Sequence, residues 1–158
     1  MNSGIKYSAI IAIALSITAI LSLSLRPGGN SNEDLQGKYK YKDFETAKKC
    51  RSCHPGIYEQ WTQAMMSQAY THHWDEIEYF DLAVAHGEVD PFFKPVADGC
   101  NGCHTPIAFM AGTLPPPRPE ENSMANESVS CEVCHLTQSA QTDPPFNFSY
   151  MITPGPTK

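Results

Sequence analysis

Cys50-Arg51-Ser52-Cys53-His54, Cys100-Asn101-Gly102-Cys103-His104 and Cys131-Glu132-Val133-Cys134-His135 use all six cysteines of a 158-residue chain and repeat one spacing, C-x-x-C-H. Two cysteines at i and i+3 sit on one side of a helical turn. From there both sulfurs can reach the two vinyl groups of one haem, and the histidine that follows can reach its iron. Each stretch reads as a covalent template for a porphyrin.

Other uses of paired cysteines explain less. Disulfides within each pair would close loops too small to staple a fold. A thioredoxin-like C-x-x-C would occur once, beside a βαβ pattern that this chain lacks. Zinc ribbons take two pairs per metal and would leave the third pair alone. None of these puts a histidine after every pair. The expected cofactors are therefore three covalent haem c groups, anchored by Cys50, Cys53, Cys100, Cys103, Cys131 and Cys134, with His54, His104 and His135 as proximal iron ligands.

The composition agrees. Tyr7 to Leu25 is a run of 19 uncharged positions, 14 of them apolar, and the 133 residues outside the first 25 hold only 13 Ile, Leu or Val and seven Phe. That 15% lies under the roughly 20% that marks chains too poor in strong core formers to fold by themselves. Closely packed macrocycles would supply the missing apolar surface, with Phe, Tyr and Trp against their faces.

Lys6, the apolar run and then Arg26-Pro27 read as a secretory signal peptide or signal anchor helix over 1–26. The run exceeds the usual signal core of about 7–15 residues and approaches the roughly 20 that span a bilayer. Its best cleavage site, Ser22-Leu23-Ser24, is poor, which points to an uncleaved membrane tether. Either form sends the chain to the periplasm or the outer face of the cytoplasmic membrane, where thiols are prepared for haem attachment in most such systems. Residues 27–40 read as a flexible linker, and 41–158 as the trihaem domain.

Charge is segregated. Residues 38–51 carry six bases against Asp43 and Glu45, whereas 59–98 carry eight acids against Lys94. Such a dipole would orient redox partner proteins. A formal net charge of −6 argues against nucleic acid as a partner.

The expected fold class is mostly α with long irregular loops: short helices wrapped around closely packed covalent haems, little or no β-sheet, and an N-terminal hydrophobic helix. Ile57 to His73 has helical spacing of apolar residues after Pro55-Gly56. Asp75 and Glu78 resemble a capping box for a second helix that stops at Gly87. A third helix starts at Pro106 and ends at Gly112, and Pro115-Pro116-Pro117 with Pro119 imposes an extended loop.

Three haems need three further axial ligands if all are six-coordinate, and three histidines remain: His72, His73 and His86. On one helix, His72 and His73 would point about 100° apart and serve different haems. Met65, Met66, Met110, Met124 and Met151 are thioether alternatives, better read as soft packing at the porphyrin edge.

Cys50 to His54 followed by Tyr58 and Trp61, then Gly102-Cys103-His104-Thr105-Pro106, then Val129 to His135, resembles the multihaem c-type cytochromes typified by the tetrahaem cytochrome that accepts electrons from hydroxylamine oxidoreductase. The resemblance covers residues 46–155. It implies a mostly helical fold around packed haems, electron transfer, and mostly bis-histidine ligation. Where the family often has Ser-x-His after the tryptophan, this chain has Ser67-Gln68-Ala69. Members usually continue past the Pro-Gly matched by Pro154-Gly155 into another haem motif. The resemblance thus implies a C-terminally truncated form, with further haem subunits among its partners.

The function read from these residues is that of an exported multihaem cytochrome c, tethered to the membrane, carrying electrons between redox partners. The alternative is a haem enzyme that reduces or oxidises a small nitrogen or oxygen species at an open-coordination haem. No convergent Lys/Arg/Tyr pocket is legible to support that chemistry.

Overall fold

The computed structural model describes residues 35–142 and 145–155, without the side chains of 141–142 and 145–149. The leader expected over 1–26 and most of the linker expected over 27–40 lie outside the described residues. Among the described residues eight short α-helices follow one another: α1 (Ala47–Cys50), α2 (Pro55–Thr62), α3 (Met65–Gln68), α4 (His73–Glu76), α5 (Ala85–Val89), α6 (Lys94–His104), α7 (Pro106–Ala111) and α8 (Cys131–His135). A π-helical segment, Ile77–Val84, joins α4 to α5, so the chain is helical from His73 to Val89. Single 3₁₀ turns occupy Tyr41–Asp43, Pro119–Glu121 and Met124–Glu127. The chain is thus mostly helical, with short elements and irregular loops. Among the described residues no helix is long and apolar enough to cross a membrane.

Proline and glycine explain many of the boundaries. Pro55 and Pro106 each occupy a first helical turn, where the missing N–H costs nothing. Gly112 ends α7 in the left-handed region at φ 71°. A Cβ there would also lie 2.8 Å from the Cα of Gly37, so this crossing needs glycine for space as well as for conformation.

The helix expected over Ile57–His73 is broken. Ala64 is extended (ψ 149°) between α2 and α3, and His72 is extended before α4. The Ser67 hydroxyl donates to the carbonyls of Ala64 (2.8 Å) and Thr62 (3.1 Å), taking acceptors that a continuous helix would use. Distant pairing holds the break: Trp61 Nε1 donates to the Val129 carbonyl (2.9 Å), and Val129 N–H to the Met66 carbonyl (3.0 Å). The second expected helix also has different ends. His72, not Asp75, is its N-cap, and the helix runs through Gly87 to Val89. Gly87 is there for packing: a Cβ would stand 3.2 Å from the Cα of Lys94, at the start of α6.

The core centres on α7, whose residues Pro106 to Met110 are all buried. Around it gather Leu35, Phe44, Val133, Leu136 and Ile152 on one side, and Tyr70, Tyr79 and Ala125 around Ala108. Residues at the end of the expected linker join this core: Leu35 is buried, Gly37 N–H donates to the Phe109 carbonyl (3.1 Å), and Tyr39 N–H to that of Met110 (2.9 Å). Leu35, Ile107, Val133, Leu136 and Ile152 are thus gathered in one place, while Ile57, Ile77, Leu82, Val89 and Val96 stay exposed.

One antiparallel hairpin follows α8, β1 (Thr137–Thr142) and β2 (Pro145–Ile152), with Thr137 opposite Ile152 and Ala140 opposite Tyr150. Ile152 is buried, and its carbonyl accepts the Tyr39 hydroxyl (2.8 Å), which returns the hairpin to the core.

Candidate functional site

Each C-x-x-C-H stretch sits on a helical turn. In the first, α1 ends at Cys50 and the chain continues in a tight turn, with Cys53 and His54 N–H groups both donating to the Cys50 carbonyl (3.2 and 2.9 Å). His54 then caps α2. The second forms the last turn of α6, and the third is α8 itself.

In the second and third stretches the intervening residues point inward. Asn101 and Gly102 are buried between exposed Cys100, Cys103 and His104; Glu132 and Val133 are buried between Cys131 and exposed Cys134 and His135. This is the helical consequence of i, i+3 and i+4 sharing a face. Asn101 is locked by donating from Nδ2 to the Tyr79 hydroxyl (2.7 Å) and the Asp98 carbonyl (3.1 Å). Burial, against the opposing Asn101 hydrogen bond, pushes the Tyr79 phenol up to about 12, so it stays a neutral partner.

The first and third stretches converge. A groove of about 930 Å³ is lined by Cys50, Cys53 and His54 of the first and Cys131 and His135 of the third, together with Ile57, Tyr58 and Leu136. That volume lies in the range of roughly 300–1,000 Å³ typical of cofactor clefts. Burial raises the Cys131 thiol pKa, and the neighbouring Cys50 thiol raises it further. Burial also raises Cys100 and Cys103. Tyr150 stands near the other two stretches: burial, then the Cys103 and Cys134 thiols, push its phenol to about 12. The third stretch thus neighbours both the first and the second.

The donor set fits covalent haem. All six cysteines are free thiols, paired on outward faces with a histidine beside each pair. Among the described residues no group of three or more His, Cys, Asp or Glu is arranged to hold a metal ion directly. Large apolar side chains that a globular protein would cover are bare, Phe92 at 93% and Val89 at 82% exposure, with Ile57 at 62% inside the groove.

One histidine is already oriented. His104 Nδ1 lies 2.7 Å from the Ala69 carbonyl and 3.0 Å from Asp75 Oδ1. Those two acceptors favour the ring proton on Nδ1, which leaves the Nε2 lone pair available to a metal. Asp75, expected as a helix cap, is instead this partner.

The remaining histidines are dispersed. His72 caps α4 and accepts the Trp74 N–H through Nδ1 (3.4 Å); His73 opens α4 with its ring 4.8 Å from that of Trp74. The expectation that both project from one helix is overturned by the break at residue 72. His86 is exposed on α5, its ring 4.4 Å from Phe93 and its Nε2 3.7 Å from Asp90 Oδ2.

Two carboxylates were not singled out by sequence. Glu132 accepts the Glu45 N–H and Glu127 the Ala47 N–H, both at 2.7 Å, and burial raises the pKa of each. Glu132 lies within the third C-x-x-C-H, yet nothing in that pattern marks its x positions.

Residues 49–136 match the protein family described as cytochrome c554 and c-prime. No curated protein and no solved structure matches the chain.

Proposed function

The chain belongs to the cytochrome c554 and c-prime family, and from that premise we propose that it is an exported, membrane-tethered relay carrying electrons between redox partner proteins through three covalent haems. The family makes it a haem-containing electron carrier. What supports the finer reading is one observation: the first and third attachment stretches open on a single groove, and the third also neighbours the second.

The six cysteines form the thioether anchors, and His54, His104 and His135 the proximal ligands. Haem supplies one-electron iron chemistry when bound. The protein residues do the rest. Helical turns hold each cysteine pair and its histidine on one face. The Ala69 carbonyl and Asp75 fix the His104 tautomer. Val129 ties the third stretch back to Trp61 and Met66, beside the first. The tetrahaem acceptor of hydroxylamine oxidoreductase is the kind of carrier the sequence resembles, and further haem subunits would extend the relay.

Intact mass of protein matured in the periplasm tests the count. Three haem additions that survive acid denaturation are expected. Fewer than three, with the six thiols still titratable, would refute it. Localisation is tested by fractionation: haem-stained protein should remain with the membrane and be accessible from the periplasmic side.

A further inference from the structure

Residues 52–93 hold seven Asp or Glu and no Lys or Arg. Six of those acids lie on, or one residue beyond, the continuous helical run His73–Val89. That run has two distinct faces. Residues 75–76, 79–80, 83–84 and 87 are buried or half-buried, whereas 73–74, 77–78, 81–82 and 85–86 are exposed. Two in and two out is the pattern of the wider π-helical turn over Ile77–Val84, in which positions i+4 and i+5 both fall near the line of i. The outer face therefore carries Trp74, Ile77 and Leu82 together with Glu78 and Asp81. Trp74 and Leu82 are each 61% exposed.

The inner face is taken up by the fold and by the second stretch. Tyr79, Phe80, Ala83 and Val84 pack around Tyr70 and Ala108. The Tyr79 hydroxyl accepts from Asn101 Nδ2 at 2.7 Å, and Asp75 Oδ1 stands 3.0 Å from His104 Nδ1. Holding that nitrogen leaves Nε2, on the other edge of the ring, available to a metal. A haem at this stretch is then bound away from the helix and does not need its outer face. Charge on that face is only partly neutralised. Among the described residues Arg118 is the one Arg or Lys paired with the run, 3.4 Å from both Glu76 and Asp81, while Glu78 and Glu88 are in no ion pair. Large apolar side chains set among carboxylates on an exposed helical face have the anatomy of a protein docking surface.

We propose that the outer face of His73–Val89 docks a redox protein whose own surface is basic, so that electrons enter or leave the chain at the second stretch. The proposal rests on the electron-carrying function above and names the point of exchange and the partner's chemistry. The exchange is of one electron, lost by a ferrous centre of one protein and gained by a ferric centre of the other, with no bond or proton moved. A partner seated on this face is one helix, about 10 Å, from Asn101 and His104. The carboxylates select the occupant. They repel an anionic lipid surface, and a second copy of the same face would bring like charges together, whereas a basic protein meets complementary potential.

The test uses the haem-loaded full chain, with mitochondrial cytochrome c, a small basic redox protein, as the probe. In calorimetric titrations binding should weaken as salt rises and fall about tenfold in Glu78→Gln/Glu88→Gln. Asp43→Asn/Glu59→Gln removes the same charge from other elements and should leave the affinity within about twofold of the original. Leu82→Ser, at an exposed position, should weaken binding severalfold at high salt as well, because the apolar contact is not screened. Affinity unchanged in Glu78→Gln/Glu88→Gln would overturn the proposal. Equal losses in the two charge variants would also overturn it, since the net charge of the chain would then be the whole attraction. Hydroxyl-radical footprinting of the loaded chain should label Trp74 and Leu82 until the probe is added; protection before that point would mean that haem or a second copy already covers the face, and would overturn the proposal too. Failure of the reduced, loaded chain to be reoxidised by hexaammineruthenium(III) would refute the electron-carrying function instead, because neither the titrations nor the footprinting needs a redox step.

Discussion

The Glu127 carboxylate accepts the Ala47 backbone N–H at 2.7 Å, across 80 residues of sequence. This bond fastens the segment before the third stretch to the helix that leads into the first, and Glu132, inside the third stretch, makes a second such tie to the Glu45 N–H. Both carboxyls are held above their ordinary value of 4.5, burial outweighing the N–H that each accepts. A carboxyl with a raised folded-state pKa binds its proton more tightly in the fold. Stability is then fullest below about 4.5 and is lost as pH rises through the raised value. Denaturant titrations of the loaded protein at pH 4 and pH 7 should show this loss, and Glu127→Gln should reduce it. Equal losses in both proteins would sink the assignment. Glu127→Ala should cost about 1–2 kcal/mol at either pH, since the Ala47 N–H loses its acceptor.

Gly112 and Gly37 cross with no room for a side chain. Gly112→Ala should destabilise by roughly 1–3 kcal/mol, combining a left-handed φ with a 2.8 Å approach. A methyl group added at Gly56, on α2, would meet nothing within 4 Å, and the backbone there is ordinary. Gly56→Ala should be neutral or stabilising by up to about 1 kcal/mol. Thermal melts of the two variants check the contrast, and similar melting points would contradict it.

The attachment stretches were legible because their chemistry is local: spacing alone puts two thiols and a histidine on one helical face. Their surroundings were less so. Ser67 and the Trp61 and Met66 ties to Val129 break a segment whose apolar spacing is that of one helix, and no local pattern encodes a partner more than 60 residues away. Gly87 carries the usual mark of a helix end but serves a close helix crossing. The poverty of aliphatic residues was plain from composition, yet which of them gather around α7, as Leu35, Val133, Leu136 and Ile152 do, depends on where the chain folds back. Asp75 was visible as a helix cap; only the tertiary structure turns it toward His104.

The three histidines outside the attachment stretches have different surroundings. His72 accepts the Trp74 N–H at Nδ1, which puts its ring proton on Nε2, while His73 lies tilted against Trp74 and His86 against Phe93. Replacing His86 by Ala should convert one haem from low to high spin, read by EPR and electronic absorption. His72→Ala and His73→Ala should differ from each other, since their rings have different partners. If all three leave the spectra unchanged, the sixth ligands are methionines, another chain or solvent. An open position would then put the haem-enzyme alternative first.

Asp75 offers the most specific handle on potential. Its carboxylate stands 3.0 Å from His104 Nδ1, and the Ala69 carbonyl lies 2.7 Å from the same nitrogen. A negative partner on Nδ1–H would push electron density into the imidazole and favour ferric over ferrous iron, lowering the potential of a haem held at the second stretch. Asp75→Asn keeps the shape and leaves the Ala69 carbonyl to hold the tautomer, so His104 should stay bound and the spin state unchanged. The charge alone is removed. A difference of about 1 kcal/mol between the two oxidation states corresponds to roughly 40 mV for one electron, so a rise on the order of tens of millivolts is expected in one haem. Asp75→Glu, which keeps the charge, should restore much of the original value. Potentiometric titration followed in the visible spectrum measures this. A uniform shift of every haem would mean that Asp75 acts only through the general field of the protein, and no shift at all would mean that the Ala69 carbonyl takes the proton by itself.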